Sequence, residues 1–389
     1  NVPHLRFPEF SGEWNKYTIN DLATVVGGGT PDTTVKSYWG GDIQWFTPSE
    51  IGKNKYVDFS KRTITRDGLD NSSAKLLPLH TILLSSRATV GECSIASNEC
   101  TTNQGFQSLI AKQCNIDFLY YLIQTKKKDL IRNACGSTFL EISANEIRKI
   151  KVAVPVQNEQ EQIAKLLSLI DERIATQNKI IEKLQSLIKG LVDELMTVLL
   201  KGKLYPFSSF YIKAGEGGTP TTSVVEYYTE GTIPFIKIED LSCKYLTNNK
   251  DFITELGMQK SSAWLIPSKS VIYSNGATIG AISINEYPVC TKQGILGIVP
   301  NTNINVEYLY LLMSSSYFSK EISRIITEGT MKTAYLKDIN HIKCPLPSMA
   351  QQKNITNLTS SIEEKLSIEQ ELLRFLNLQK QYLLHMIFI

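Results

Sequence analysis

The chain has 389 residues, 42% of them hydrophobic and 20% charged, and a formal net charge of +3 at pH 7. These values are typical of a globular protein of two or three domains and exclude a disordered or fibrous chain. No apolar run approaches the roughly 18 residues of a membrane span, and the N-terminus lacks the basic-then-apolar pattern of a signal peptide, so we expect a cytosolic protein.

Residues 1–155 have the pattern of a domain that mixes strands with short helices. Gly28-Gly29-Thr30-Pro31 predicts a turn after a strand, and Thr81-Ile82-Leu83-Leu84 predicts a buried strand. Residues 116–122 carry apolar side chains at the spacing of a short amphipathic helix. We therefore predict an α+β domain. It also holds the whole excess of positive charge.

Residues 156–203 predict one long helix. No proline occurs between Pro155 and Pro206, and apolar residues recur in alternating steps of four and three, which is the heptad pattern of a coiled coil. The predicted seam consists of Ile163, Leu167, Ile170, Ile174, Gln177, Ile181, Leu184, Ile188 and Leu191, and continues to Leu195 and Val198.

Residues 204–347 repeat the first domain at an offset of about 190 residues. The matches keep the same order, which is hard to obtain by chance, so the chain is a duplicated unit. Matching pairs include Gly28-Gly29-Thr30-Pro31 with Gly217-Gly218-Thr219-Pro220, Ala88-Thr89-Val90-Gly91 with Ala277-Thr278-Ile279-Gly280, Asn103-Gln104 with Lys292-Gln293, and Gly136-Ser137 with Gly329-Thr330.

Residues 348–389 predict a second long helix with a more polar seam. Gln177 and Glu369 occupy equivalent seam positions, where a polar residue fixes the register. We predict an antiparallel coiled coil and a pseudo-two-fold internal repeat, with ordinary core packing as the alternative. The predicted seam consists of Ile355, Thr359, Ile362, Leu366, Glu369, Leu373, Leu376, Lys380, Leu383 and Ile387.

The sequence offers no recognisable catalytic or metal site. It has neither a phosphate-binding loop of the Gly-x-x-x-x-Gly-Lys-(Ser/Thr) type nor a Pro-Pro pair of an adenine-methylation motif. Glu363-Glu364-Lys365 has the acidic-x-Lys spacing of a nuclease motif but is better explained as a solvated helix face. Gly27-Gly28-Gly29 lacks the rest of a dinucleotide-binding motif, so it is better explained as a turn than as a phosphate loop. The seven cysteines form no CxxC pair, and His4, His80, His341 and His385 are far apart in sequence.

The order of domain, long helix, domain and long helix resembles the specificity subunit of type I restriction-modification systems over essentially the whole chain. The segments that carry the resemblance are Leu5-Arg6-Phe7-Pro8-Glu9-Phe10 with Gly12-Glu13-Trp14, the Gly-Gly-Thr-Pro turns, the Ala-Thr-(Val/Ile)-Gly segments, and Val154-Pro155 followed by residues 159–164. The second helix departs from this pattern, because it begins Ala350-Gln351-Gln352-Lys353-Asn354-Ile355.

The resemblance implies a non-catalytic scaffold that reads a split target on double-stranded DNA. Target-recognition domains 1–155 and 204–347 would each read one half-site, and helices 156–203 and 348–389 would set the unread spacer. Two modification subunits would bring S-adenosylmethionine and adenine methylation, and two motor-nuclease subunits would use ATP and Mg²⁺. The resemblance thus places every cofactor on partner subunits in a prokaryotic cytoplasm.

Base reading requires polar side chains at groove edges, while Lys and Arg bind phosphates. The least similar part of the two copies follows each Gly-Gly-Thr-Pro turn, and loop ends of the shared frame supply further candidates. The candidates of the first copy are Lys36, Thr47, Ser49, Lys53, Lys55, Arg62, Arg66, Ser86, Arg87, Asn103 and Gln104. Those of the second are Thr219, Thr221, Lys237, Lys244, Lys250, Asn275, Lys292 and Gln293.

Two other hypotheses stay open at the level of sequence. One is a fused restriction or methylation enzyme with unrecognised motifs, which predicts turnover by the single chain. The other is a structural coiled-coil adaptor, which predicts no salt-dependent DNA binding.

Overall fold

The computed structural model describes residues 2–136, 140–276, 278–326 and 332–388. Ser137, Ala277, Gly329 and Thr330 of the sequence repeat lie outside these residues. The chain forms two compact units, Asn1–Lys179 with Glu371–Ile389 and Ile180–Gln370. Each unit therefore contains a globular part and a portion of both long helices.

The first unit alternates short strands with short helices before the first long helix. Its elements are β1 (Asn15–Thr18), α1 (Ile19–Leu22), β2 (Ala23–Gly27), β3 (Trp39–Phe46), β4 (Tyr56–Val57), β5 (Arg62–Ile64), α2 (Arg66–Asp70), β6 (Ile82–Leu84), β7 (Cys93–Ala96), β8 (Cys100–Thr102), β9 (Gln107–Ala111), α3 (Ile116–Thr125), α4 (Lys127–Arg132), α5 (Ala144–Lys149), β10 (Lys151–Val154) and α6 (Gln157–Leu199).

The strands of the first unit form a five-stranded sheet, β2-β9-β6-β7-β4, a three-stranded sheet, β5-β3-β8, and the pair β1-β10. Strands β3 and β8 are parallel, with Trp45 opposite Thr101 and Phe46 opposite Thr102. A register shift interrupts β3 after Trp39, where Gly40 has a φ of +82° that favours glycine. The parallel pair matters for function because both strands end at the same edge of the sheet.

The second unit repeats this topology. Its sheets are β12-β19-β16-β17-β14, β15-β13-β18 and β11-β20, so the duplication predicted from sequence is confirmed in the fold. Its elements are β11 (Leu204–Pro206), β12 (Tyr211–Glu216), β13 (Ile233–Ile236), β14 (Tyr245–Leu246), β15 (Phe252–Ile253), α7 (Glu255–Gln259), β16 (Val271–Ser274), β17 (Ile282–Asn285), β18 (Cys290–Thr291), β19 (Ile295–Pro300), α8 (Val306–Ser314), α9 (Ser316–Ile325), α10 (Leu336–Ile339), β20 (Lys343–Pro345) and α11 (Met349–Ile387).

In the first unit, the long helices run antiparallel and join the main core. Ile163 and Leu167 of α6 share this core with Phe118 of α3 and with Ile387 near the end of α11. Further along α6, Asp171 forms an ion pair of 2.7 Å with Lys380. Residues further along α6 thus lie near residues earlier in α11, as expected for antiparallel helices.

In the second unit, the same antiparallel pairing holds. Met196 of α6 shares a core with Ile355 of α11, and Ile188 lines a groove together with Leu366. The seam positions Gln177 and Glu369 are buried in their respective units despite their polarity. Glu369 accepts a hydrogen bond of 2.6 Å from Lys365 one turn earlier.

The end of α6 differs from the predicted heptad seam. Val192 and Met196 are buried, whereas Leu191 is half-buried and Val198 is 61% exposed. The reason is that the last turns of α6 pack on the core of the second unit beside Phe207 and Phe210. Helix α6 ends at Leu199, and the following residues turn into β11.

Candidate nucleic-acid interface

Four loops of the first unit meet at the edge where β3 and β8 end. We call residues 28–31, 47–49, 86–87 and 103–105 the first loop cluster. The backbone N–H of Asn103 donates to the carbonyl of Phe46 at 3.0 Å, and that of Gly29 donates to the carbonyl of Thr102 at 2.8 Å. These bonds fix the loops to the sheet, so the cluster is preorganised.

The Gly-Gly-Thr-Pro turn approaches the neighbouring loop too closely for a larger residue. A Cβ on Gly28 would lie 2.0 Å from the carbonyl oxygen of Asn103, far inside van der Waals contact. Thr30 then donates its hydroxyl hydrogen to the side-chain oxygen of Gln104. The turn thereby orients the exposed amide of Gln104 at the rim of the cluster.

Arg87 is the exposed cation of this cluster. Its guanidinium Nε lies 3.6 Å from a carboxylate oxygen of Glu141, and about half of its side chain is exposed. An exposed ion pair of this length is worth at most about 1 kcal/mol. Arg87 is therefore only weakly held by Glu141.

The second unit has the corresponding arrangement. We call residues 217–220, 237–239, 275–276 and 292–294 the second loop cluster. The N–H of Lys292 donates to the carbonyl of Ile236 at 3.0 Å, and that of Gln293 donates to the hydroxyl of Thr219 at 3.3 Å. The side chains of Lys292 and Gln293 are exposed.

Lys237 occupies the place that Thr47 has in the first loop cluster. Its ammonium forms an ion pair of 2.8 Å with Asp251, and the hydrogen bond to this carboxylate raises the pKa of Lys237. Both residues donate the backbone N–H to a carboxylate at 2.8 Å, Thr47 to Glu50 and Lys237 to Asp240, but the side chain of Thr47 is an uncharged hydroxyl that also donates to Glu50 at 2.6 Å. The two clusters therefore share a backbone frame and differ in side-chain chemistry at this equivalent position.

Two of the residues predicted to contact DNA are buried. Ser86 and Asn275, which are equivalent in the repeat, are 0% and 1% exposed. The N–H of Ser86 donates to the carbonyl of Gly105 at 2.8 Å, and the Asn275 amide donates to the carbonyl of Ala334 at 3.1 Å. Both follow a buried strand and face inward, so they position loops instead of presenting groups to a groove.

Lys55 and Lys244 are committed to contacts within their own units, which corrects their assignment as free DNA-binding cations. Lys55 forms an ion pair of 2.7 Å with Asp117 and donates to the hydroxyl of Ser168 at 2.7 Å. Lys244 lies between Glu307 at 3.4 Å and Glu363. Each ammonium therefore joins a recognition sheet to a long helix.

The remaining predicted residues lie on the surface or at its rim. Asn103 is half-buried, because its side chain accepts from the N–H of Gly105 at 2.8 Å. Arg66 pairs with Asp70 at 3.4 Å on exposed helix α2. The exposed predicted residues without another role given above are Lys36, Ser49, Lys53, Thr221 and Lys250.

Sequence reasoning missed the aromatic side of the first loop cluster. The Trp45 indole N–H donates to the carbonyl of Gly29 at 2.9 Å, and that of Trp39 donates to the carbonyl of Asp32 at 3.1 Å. The available signal was the occurrence of two of the chain's four tryptophans within seven residues, next to the Gly-Gly-Thr-Pro turn.

Exposed apolar residues form a stripe on α6 in the second unit and on α11 in the first. In the second unit, Ile180, Leu187 and Val198 of α6 are 36%, 55% and 61% exposed. Their steps of 7 and 11 residues are close to whole helical turns, so they form one stripe. In the first unit, Phe375 and Tyr382 of α11 are also seven residues apart and more than half exposed.

The family model for the type I restriction modification DNA specificity domain matches this chain twice, over residues 11–186 and 210–377. The chain belongs to this family. It is a specificity subunit with two DNA-recognition domains, as its resemblance in sequence indicated. Among the described residues, no helix combines the length and apolar character needed to cross a membrane.

Relatives with specificity-subunit names match most of the chain. The MjaIX type I restriction enzyme specificity subunit of Methanocaldococcus jannaschii is 29% identical over 382 residues, covering 91% of this chain and 88% of the relative. The EcoR124I/EcoR124II specificity subunit of Escherichia coli is 29% identical over 175 residues, covering 43% of each chain.

Solved structures share the fold. The S subunit of a type I restriction-modification system from M. genitalium has a TM-score of 0.56 at 19% identity, over 100% of this chain and 99% of that one. A chain from a structural study of type I complex assembly and conformational transition has a TM-score of 0.59 at 14% identity, over 97% of both chains.

Proposed function

We propose that each recognition domain reads one half of a bipartite DNA target through its loop cluster. The observation that carries this proposal is the pairing of a shared backbone frame with different side chains. Thr47 corresponds to Lys237 and Asn103 to Lys292, while the hydrogen bonds that hold these loops recur in both units. Two half-sites of different sequence are the expected target of such a molecule.

We further propose that the exposed apolar faces of α6 and α11 dock two modification subunits, and that the complete complex adds two motor-nuclease subunits. Apolar side chains such as Leu187 and Phe375 are more than half exposed, and burying them against helices of a partner would remove apolar surface from water. Under this proposal the complex acts on DNA in the cytoplasm of a prokaryotic cell.

In this proposal the chain itself is not an enzyme. The modification subunits bind S-adenosylmethionine and methylate adenine, and the motor-nuclease subunits use ATP and Mg²⁺ to cleave DNA. Glu363 of the Glu363-Glu364-Lys365 segment is paired with Lys244, which supports a structural role for that segment. Incubating the chain alone with DNA, S-adenosylmethionine and Mg²⁺ tests this directly, and turnover would overturn it.

The decisive experiment maps methylated adenines in DNA from a host that expresses the chain with its modification subunit. We expect a split motif. Exchanging residues 36–75 for those of another family member should change only one half of the motif, and exchanging the equivalent residues 225–264 should change only the other. Absence of new methylation with an active partner subunit would contradict the proposal.

A further inference from the structure

The first unit has a stacked cation at the edge of its loop cluster. The guanidinium carbon of Arg62 lies 3.6 Å from the ring centroid of Trp39 and 5.5 Å from that of Trp45. The two indole rings meet edge to face at 5.0 Å. The guanidinium of Arg62 thereby lies over an aromatic surface, although its side chain is exposed.

The sheet places Arg62 beside the loops that carry the base-reading candidates. Arg62 begins β5 and lies opposite Trp45, which is two residues before Thr47. The carboxylate of Glu50 joins the two segments, because it accepts from the N–H of Thr47 at 2.8 Å and from the N–H of Lys61 at 2.6 Å. Arg62 therefore lies at the rim of the first loop cluster.

The guanidinium has hydrogen-bonding capacity to spare. Among the residues that the structure describes, Arg62 stacks on indole rings but forms no side-chain hydrogen bond or ion pair. A guanidinium carries five N–H donors in a planar fork, and stacking immobilises that fork without using its donors. Preorganisation of this kind lowers the entropic cost of a bidentate contact.

The equivalent position of the second unit has the opposite charge. Ile64 and Ile253 each precede a threonine that caps a short helix, so Asp251 corresponds to Arg62. Its backbone carbonyl accepts from the N–H of Phe235 at 2.9 Å, and its carboxylate pairs with Lys237. The two units therefore carry opposite charges at this equivalent position.

We propose that Arg62 is a specificity-determining residue of the first unit and that it makes a bidentate contact with a guanine of the first half-site. The planar fork matches the O6 and N7 acceptors of guanine in the major groove. The Asp251–Lys237 pair gives the second unit a different preference at the corresponding place. This inference rests on the function proposed above.

The test uses the full chain assembled with its modification subunit. Methylation rates are measured on duplexes in which each base pair of the mapped motif is replaced in turn. Arg62→Lys retains the charge but loses the fork, and Arg62→Ala removes both. Because a good bidentate pair discriminates by about 1–3 kcal/mol, we expect both variants to lose roughly 5- to 150-fold of preference at one position of the first half-site only. Arg132→Ala is the matched control, since it removes an exposed arginine that pairs with Asp129 on helix α4 and should leave every preference unchanged.

The outcomes separate this inference from the proposed function. If the wild-type complex shows no split motif, the proposed function fails. If the wild-type motif is split but both Arg62 variants weaken methylation uniformly, Arg62 contacts a phosphate and the inference is overturned. An unchanged motif and rate would overturn it too, leaving Arg62 as a cover for the indoles. If Arg62→Ala does not fold, the base preference of Arg62→Lys decides between these outcomes.

Discussion

Gln160 and Gln352 make the same pair of hydrogen bonds at the start of α6 and α11. The side-chain oxygen of Gln160 accepts from the N–H of Asn115 at 2.9 Å, and that of Gln352 accepts from the N–H of Asn305 at 2.8 Å. Each amide also donates to a proline carbonyl five residues earlier, at 2.9 Å in both units. Each glutamine thereby holds a long helix to the start of α3 or α8.

Replacing either glutamine with alanine should destabilise the chain strongly. Both side chains are buried, so Gln160→Ala and Gln352→Ala leave unsatisfied backbone groups that cost about 1–3 kcal/mol each. Urea unfolding of the full chain is the measurement. Gln185→Ala and Gln379→Ala, which alter exposed glutamines of the same two helices, should stay within about 0.5 kcal/mol of wild type. Equal losses for buried and exposed positions would contradict the role given to these contacts.

The repeat, the long helices and most of the seam are predictable from the sequence because they depend on matching segments and on the regular spacing of apolar residues. The partners of Lys55 and Lys244 are not. Ser168 lies 113 residues after Lys55, and Glu363 lies 119 residues after Lys244, so no local pattern signals either contact. Both lysines lie in polar segments, so the sequence predicts exposed DNA-contact residues. In the folded chain their ammonium groups bind residues that are distant in sequence.

The end of the α6 seam shows a second limit. A heptad count considers only the partner helix, but Val192 and Met196 pack in a core that contains Phe207 and Phe210 in addition to Ile355 of α11. The buried stripe therefore shifts by one residue, and Val198 becomes exposed. Likewise, the stack of Arg62 on Trp39 depends on the register shift in β3, which the sequence marks only by adjacent glycines.

Two glycine substitutions should differ in effect, because Gly28 lies in a close turn and Gly190 lies on an open face of helix α6. In Gly28→Ala, the added Cβ would lie 2.0 Å from the carbonyl oxygen of Asn103, so the loop must move and the methylation rate should fall. In Gly190→Ala, the Cβ meets open space on helix α6, so the free energy of unfolding should rise by about 0.5–1 kcal/mol. Methylation assays and thermal melts check both. A harmless Gly28→Ala would show that the turn is not tightly fixed.

Thiol reactivity should divide the seven cysteines into two classes. Cys135 and Cys243 are exposed, while the other five are buried. Burial raises the pKa of Cys93, Cys100 and Cys114 to about 12, so these groups stay protonated and unreactive at neutral pH. A thiol reagent at pH 8 should modify two cysteines quickly in the native chain and all seven in denaturant. Rapid modification of a third would contradict the described packing.

The Lys244 contact predicts a coupled effect between a recognition sheet and a long helix. Its side chain is 13% exposed, and the carboxylates of Glu307 and Glu363 flank its ammonium. Lys244→Met leaves those two carboxylates facing each other without a cation, so it should lower the free energy of unfolding by about 2–4 kcal/mol. Lys250→Met, which alters an exposed lysine of the same segment, should have little effect. Combining Lys244→Met with Glu363→Gln should recover part of the loss, because the double variant removes one of the uncompensated charges. Strictly additive losses in this double-mutant cycle would show that the two residues are not energetically coupled.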